Sequence, residues 1–67
     1  MKIEIQFAGY MQNVIDTDDV RSCDLFESID DPEESRRIIL NALAGSDYGW
    51  RQGQAGDEDF QVRHKSR

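Results

Sequence analysis

Residues 31–45 read DPEESRRIILNALAG, and this stretch decides how the rest of the chain must fold. Asp31 is an N-cap residue type, and Pro32 follows at the first helical position, where a missing N–H costs nothing. Glu33 and Glu34 stand at the positive end of the helix dipole, and Glu34 has the spacing to reach back to the cap in a capping box. Ile39, Ala42 and Leu43 fall on one face, with Ile38 and Leu40 widening the stripe. Gly45 follows the last apolar residue, where a left-handed C′ position is wanted. The pattern predicts about twelve helical residues, a rod of about 18 Å. Such a rod needs something flat and apolar to lie on.

The flanking sequence supplies strands. Residues 2–7, KIEIQF, set Ile3, Ile5 and Phe7 on one side and Lys2, Glu4 and Gln6 on the other, the alternation of a half-buried strand. Gly9 allows a turn or a bulge. Residues 10–15 then either pair back on the first strand or continue one long strand bent at Gly9, and the residues allow both. DTDD at 16–19 breaks the pattern and reads as a turn. Between Val20 and Ile29 two readings balance. Leu25, Phe26 and Ile29 suit a short helical turn capped by Ser22 or Asp24, and VRSCDLF equally tolerates an extended chain.

Beyond the helix, Phe60, Val62 and His64 alternate with Gln61 and Arg63 as a strand. Gly53, Gly56 and the acids Asp57, Glu58 and Asp59 supply turn chemistry, so residues 48–64 read as a hairpin. Residues 63–67 form a basic tail expected to fray. The expected class is α+β: a small antiparallel sheet of three to four strands carrying one main helix on one face, in the order β(β)αββ. Residues 1–67 make a single domain.

A chain of 67 residues buries only about 60% of its unfolded surface, so the core is marginal. The lone Cys23 excludes an intrachain disulfide and fits a reducing cytoplasm. No apolar run approaches the roughly 18 residues needed to span a bilayer. Met1 leads straight into a strand pattern with no secretory signal, so a cytoplasmic protein is expected. Residues 1–62 hold fourteen acids and five bases, a charge of −9. That sign disfavours nucleic acid as a direct partner and favours a basic protein surface.

Catalytic chemistry finds little footing. Cys23 and His64 are the only pair suited to a thiolate–imidazolium, and His64 is fourth from the end of the sequence, where a positioned base is poorly mounted. Glycine-rich phosphate loops and nucleophile elbows are missing from the sequence. Asp16, Asp18, Asp24 and Glu27 match positions 1, 3, 9 and 12 of a calcium loop. Position 6 of that frame is Arg21 where glycine is required, and position 5 is Val20, which has no side-chain oxygen. One cysteine and one histidine are too few for a structural zinc. The expectation is a non-catalytic domain without metal or cofactor.

The acids themselves remain. Asp16, Asp18 and Asp19 form one group, Asp30, Asp31, Glu33 and Glu34 a second, and Asp57, Glu58 and Asp59 a third. Turns and helix starts call for one or two carboxylates each, and the plain reading of any single one is a solvated surface. Three or four at a site exceed that need. Residues i and i+2 on an extended chain stand about 6.6 Å apart, near the spacing of phosphates, so a carboxylate row could occupy a nucleic-acid groove. Tyr48 and Trp50 flank Gly49 nearby. Trp50 is expected to close one end of the core beneath the helix, with an interface anchor as the alternative.

In length, in the acidic body and in the turns DTDD, DDPEE and DED, the chain resembles the small acidic inhibitors that phages encode against host machinery, above all anti-CRISPR proteins. These share no sequence signature, so the likeness is one of type and transfers no residue roles. It implies binding to a basic, nucleic-acid-handling protein or ribonucleoprotein, such as a CRISPR effector, at the groove that accepts target DNA, in the host cytoplasm. The candidate contact set is Asp16, Asp18, Asp19, Asp30, Asp31, Glu33, Glu34, Asp57, Glu58, Asp59 and Trp50. The alternative is a small adaptor or regulatory subunit that binds through its helix or a sheet edge.

Overall fold

A computed structural model describes residues 1–8, 12–44 and 49–65. Four strands and one α-helix follow in the order β1 (Lys2–Phe7), β2 (Asn13–Asp16), α1 (Pro32–Ala42), β3 (Arg51–Ala55) and β4 (Glu58–His64), with a single 3₁₀ turn at Val20–Cys23. The strands form one antiparallel sheet in the order β2-β1-β4-β3. This is the expected α+β architecture, and residues 13–16 pair back on β1 as the two-strand reading required.

The register decides which residues share a face. Ile3 lies across from Ile15 and His64, Ile5 from Val62, and Phe7 from Phe60. Side chains directly opposite project to the same side, so these positions make one apolar face, and α1 covers it with Ile39 and Leu43. Cys23 and Phe26, from the segment between β2 and α1, complete the core. The Phe26 ring sits between Phe7 and Phe60, with centroids 5.7 and 5.2 Å away. The opposite face carries Glu4, Gln6, Gln61, Arg63, Gln52 and Gln54 in register and has no layer over it among the described residues.

α1 starts as its sequence dictates. The Asp31 carboxylate accepts the Glu33 N–H, and Pro32 occupies the first turn. Glu34 does not close a capping box: its carboxylate accepts from Arg37 one turn on, where the guanidinium is the stronger donor. Leu43 caps the helix, and Gly45 lies outside the described residues.

Three other expectations are corrected. The helical turn in 20–29 forms early, at Val20–Cys23, with Asp19 as its N-cap in place of Ser22 or Asp24; residues 24–31 follow without regular structure. Gly53, Glu58 and Asp59 are strand residues, and the hairpin turns on Gly56 and Asp57 alone, with Gly56 at φ +61°. A two-residue turn of that hand matches strand twist and makes a longer loop unnecessary. The expected frayed tail is partly strand: Arg63 and His64 pair with Glu4 and Ile3, and the Lys65 N–H donates to the Lys2 carbonyl.

The sheet thus has two ends. Met1, Asp16 and Lys65 mark one, and Phe7 with the Gly56–Asp57 turn marks the other. The chain leaves β2 at the Met1 end, where Ser22 Oγ donates to the Asp16 carbonyl. It crosses to the hairpin end, where residues 27 and 28 meet the β3–β4 turn, before α1 begins at Pro32. Arg36 then reaches back, its Nε donating to the Thr17 carbonyl at 2.7 Å.

Candidate functional site

The hairpin end gathers acids from distant parts of the sequence. Glu58 Oε1 accepts the backbone N–H of Glu27 at 2.7 Å, and Ser28 Oγ donates to the Ala55 carbonyl at 3.3 Å. Ser28 occupies the space a side chain on Gly56 would need, its Oγ standing 2.2 Å from where a Cβ would lie. These contacts fix the β3–β4 turn against residues 27–28. Asp31 follows only three residues after Ser28, at most about 10 Å along the chain. Glu27, Asp57, Glu58 and Asp59 therefore form a rim at this end, and Asp30, Asp31, Glu33 and Glu34 follow it in sequence.

Some of these carboxylates are committed to the fold. Asp31 caps α1, Glu58 holds Glu27, and Glu34 pairs with Arg37, which keeps the Glu34 carboxyl below its ordinary range and pushes the Arg37 guanidinium up. Glu27, Asp30, Glu33, Asp57 and Asp59 are exposed, and no hydrogen bond or ion pair among the described residues engages their side chains. Five carboxylates without a structural task therefore face water within residues 27–33 and 57–59.

The first acidic group stands apart, at the Met1 end, and is spent on local order. Asp16 and Asp18 accept from the Met1 amine at 2.9 and 2.8 Å, and Asp16 also takes the Asp18 N–H. The amine, chiefly, and that N–H hold the Asp16 carboxyl low; Asp18 and Asp16 hold the amine high. Asp19 caps the 3₁₀ turn through the Arg21 N–H. Of the ten candidate acids, Asp16, Asp18 and Asp19 stand at the Met1 end, and Asp57, Glu58 and Asp59 at the hairpin end.

Trp50 is not beneath the helix. It precedes Arg51 by one residue, which turns it to the open face, and the Arg63 guanidinium lies over its ring at 4.4 Å. Arg63 Nε donates to Glu4 Oε1 at 3.2 Å, and Gln12 donates to the other oxygen of the same carboxylate. Glu4 is buried by these partners, and Trp50 is half-buried. Pattern alone placed Glu4 and Arg63 on wet faces but could not align them, because the β1–β4 register spans fifty-nine residues. Tyr48 lies outside the described residues.

The remaining reactive groups are built into the fold. Cys23 is fully buried, and loss of solvation pushes its thiol above the ordinary value. Asp16 and Asp18 of the calcium frame turn to the Met1 amine, and no group of three metal-ligating side chains occurs among the described residues. No helix among the described residues is long and apolar enough to cross a membrane. Comparison of the chain with protein-family models, curated proteins and solved structures finds no match.

Proposed function

We propose that this protein is an acidic inhibitor that binds a basic, nucleic-acid-handling protein or ribonucleoprotein and blocks access of nucleic acid, in the manner of an anti-CRISPR protein. The observation that carries this reading is the rim at the hairpin end. Glu27, Asp57, Glu58 and Asp59 stand there, with Asp30 to Glu34 next in sequence, and five of these side chains serve no contact among the described residues. Arginine forks that grip phosphate grip carboxylate equally well, and bidentate pairs of this kind are the strong ones. A channel built to hold a nucleic-acid backbone thus offers such a rim a ready surface. Asp16, Asp18 and Asp19 are left out of that contact, because one oxygen of each already holds a donor of the chain's own.

The test is competition. A panel of purified CRISPR effector complexes is titrated with labelled target DNA with and without the protein, at low and at high salt. DNA binding should be lost with at least one effector, and the loss should fade as salt screens the contact. The double variant Asp57→Lys with Asp59→Lys should not compete, because both side chains lie outside every fold contact described. Undiminished DNA binding across the panel, or full potency of that variant, would remove the reading.

A second reading, an adaptor that binds by strand addition, is favoured by one observation: β3 lies at the sheet margin with no strand beyond it among the described residues. Salt would leave such a contact nearly unchanged, because backbone hydrogen bonds carry it.

A further inference from the structure

The two margins of the sheet are β2 and β3, and they are not equivalent. A strand margin presents unpaired N–H and C=O groups and is a template for another chain unless it is short, charged or covered. β2 is four residues long and runs into Asp16, Asp18 and Asp19; an approaching copy would meet its own like charges there. β3, Arg51–Ala55, reads RQGQA. Its middle three residues are uncharged, and it contains neither proline nor lysine.

The hairpin determines which backbone groups of β3 point outward. Ala55 and Glu58 close a two-residue turn and exchange both of their bonds. Alternation then directs Ala55, Gly53 and Arg51 toward β4, and leaves the N–H and C=O of Gln52 and Gln54 facing away from the sheet. Both residues are exposed.

We infer that β3 pairs antiparallel with β3 of a second copy about a two-fold axis at Gly53, joining two four-stranded sheets into one of eight. The sequence RQGQA is self-complementary about that axis. Gly53 faces Gly53 as a wide pair, and Gln52 of each copy faces Gln54 of the other as a hydrogen-bonded pair, which uses every outward group. No like charges meet across the junction. Arg51 falls in the row of Ala55 and Glu58 of the other copy, beside the acidic rim, so the charges that do approach are opposite. On the open face the carboxamides continue a row already present, since Gln6, Gln61 and Gln52 stand in register and Gln61 Nε2 donates to Gln6 Oε1 at 2.8 Å. On the other face a groove lined by Ile38, Asn41, Ala42 and Gly53 runs beside β3. The half-buried Ile38 and Ala42 would meet their counterparts across the axis there. The shared edge closes on itself, so a dimer forms and not a fibre.

Sedimentation velocity from micromolar to millimolar protein is the first measurement. A concentration-dependent monomer–dimer equilibrium is expected for the wild type. Gln54→Pro removes an outward N–H and leaves the ladder to β4 intact, a tolerated position for proline. It should weaken the dimer at least about tenfold, because two of the intermolecular bonds vanish in the symmetric pair. Amide hydrogen exchange on the wild type decides the matter even if that variant folds poorly. The Gln52 and Gln54 amides should gain protection with rising concentration, whereas Gly53 and Ala55 should be protected throughout. A monomer over the whole range would overturn the inference, as would a dimer in which the Gln52 and Gln54 amides exchange freely.

Discussion

Gly53→Ala gives the sharpest test of how this core is built. Propensity alone says the change should help, since glycine inside a strand costs about 0.5–1 kcal/mol relative to alanine. The packing says the opposite. A Cβ at position 53 would lie 2.3 Å from Phe60 Cζ and 2.7 and 2.8 Å from its two Cε atoms, where carbon atoms in contact keep about 3.5–4.0 Å. The ring must therefore retreat by more than about 1 Å. It has little room: Phe60 is 2% exposed and is backed by the Phe26 ring at 5.2 Å. Overpacking of this kind costs about 1–3 kcal/mol, so the net effect is a loss of about 1–2 kcal/mol. A domain of this size holds only about 3–10 kcal/mol in total. Urea unfolding followed by Trp50 fluorescence reads the loss as a fall in midpoint of about 1–2 M at unchanged slope. In a Phe60→Leu background the same substitution should cost much less, because the colliding atoms are gone. A midpoint that stays or rises in the wild-type background would refute the packing account.

Ser35 is fully buried in α1, and its hydroxyl has no partner among the described residues; Ser35→Ala should raise stability by about 1 kcal/mol in the same urea assay. Cys23 should react with a thiol reagent only as fast as the chain opens, so the labelling rate of the native protein should follow the unfolding equilibrium. Stability should form a plateau against pH with two limbs. Asp16 and Glu34 have lowered carboxyl pKa values, so their contribution is present above the ordinary values of 3.8 and 4.5 and is lost as pH falls through the folded ones. The Met1 amine is raised from 8.0, so its contribution is complete below that value and is lost as pH climbs through the folded one. Asp16→Asn with Asp18→Asn should remove the Met1 part of the alkaline limb, leaving the part from the buried Cys23 thiol, while the Glu34 part of the acid limb survives, measured as thermal midpoint against pH.

The elements with strong periodicity were legible before any coordinates. α1 declares itself by cap, proline and stripe, and β1 and the body of β4 by strict alternation. β3 was not legible as a strand, because RQGQA has no apolar alternation to read. Its inward positions are Arg51, Gly53 and Ala55, and the place of a large side chain at Gly53 is taken by the Phe60 ring from the neighbouring strand. Glycine there signals a close approach, not a turn, and the two produce the same letter. Trp50 went astray for a related reason. Its side of the sheet depends on the β3–β4 register, which assigns Arg51 to the helix face and so sends its predecessor to the other. The acidic residues were legible singly. Their assembly was not, because it rests on one bond between Glu58 and the Glu27 backbone, thirty-one residues away.

That bond also divides the acids by role, which sequence counting could not do. A carboxylate that accepts a backbone N–H or an amine is accounted for by the fold, and on that ground Asp16, Asp18, Asp19, Asp31 and Glu58 belong to structure. Glu27, Asp30, Glu33, Asp57 and Asp59 do not, and two of them bracket Glu58 itself. Self-repulsion among them opposes the compact state while keeping the chain soluble, and a partner of opposite sign, as proposed, would relieve it. The two proposed surfaces can then be separated by single variants. Asp57→Lys with Asp59→Lys changes the rim and leaves the outward amides of β3 untouched; Gln54→Pro does the reverse. If both variants weakened both the dimer and the inhibition of a basic partner, the rim and the β3 margin would be one surface, and the division drawn here between them would be wrong.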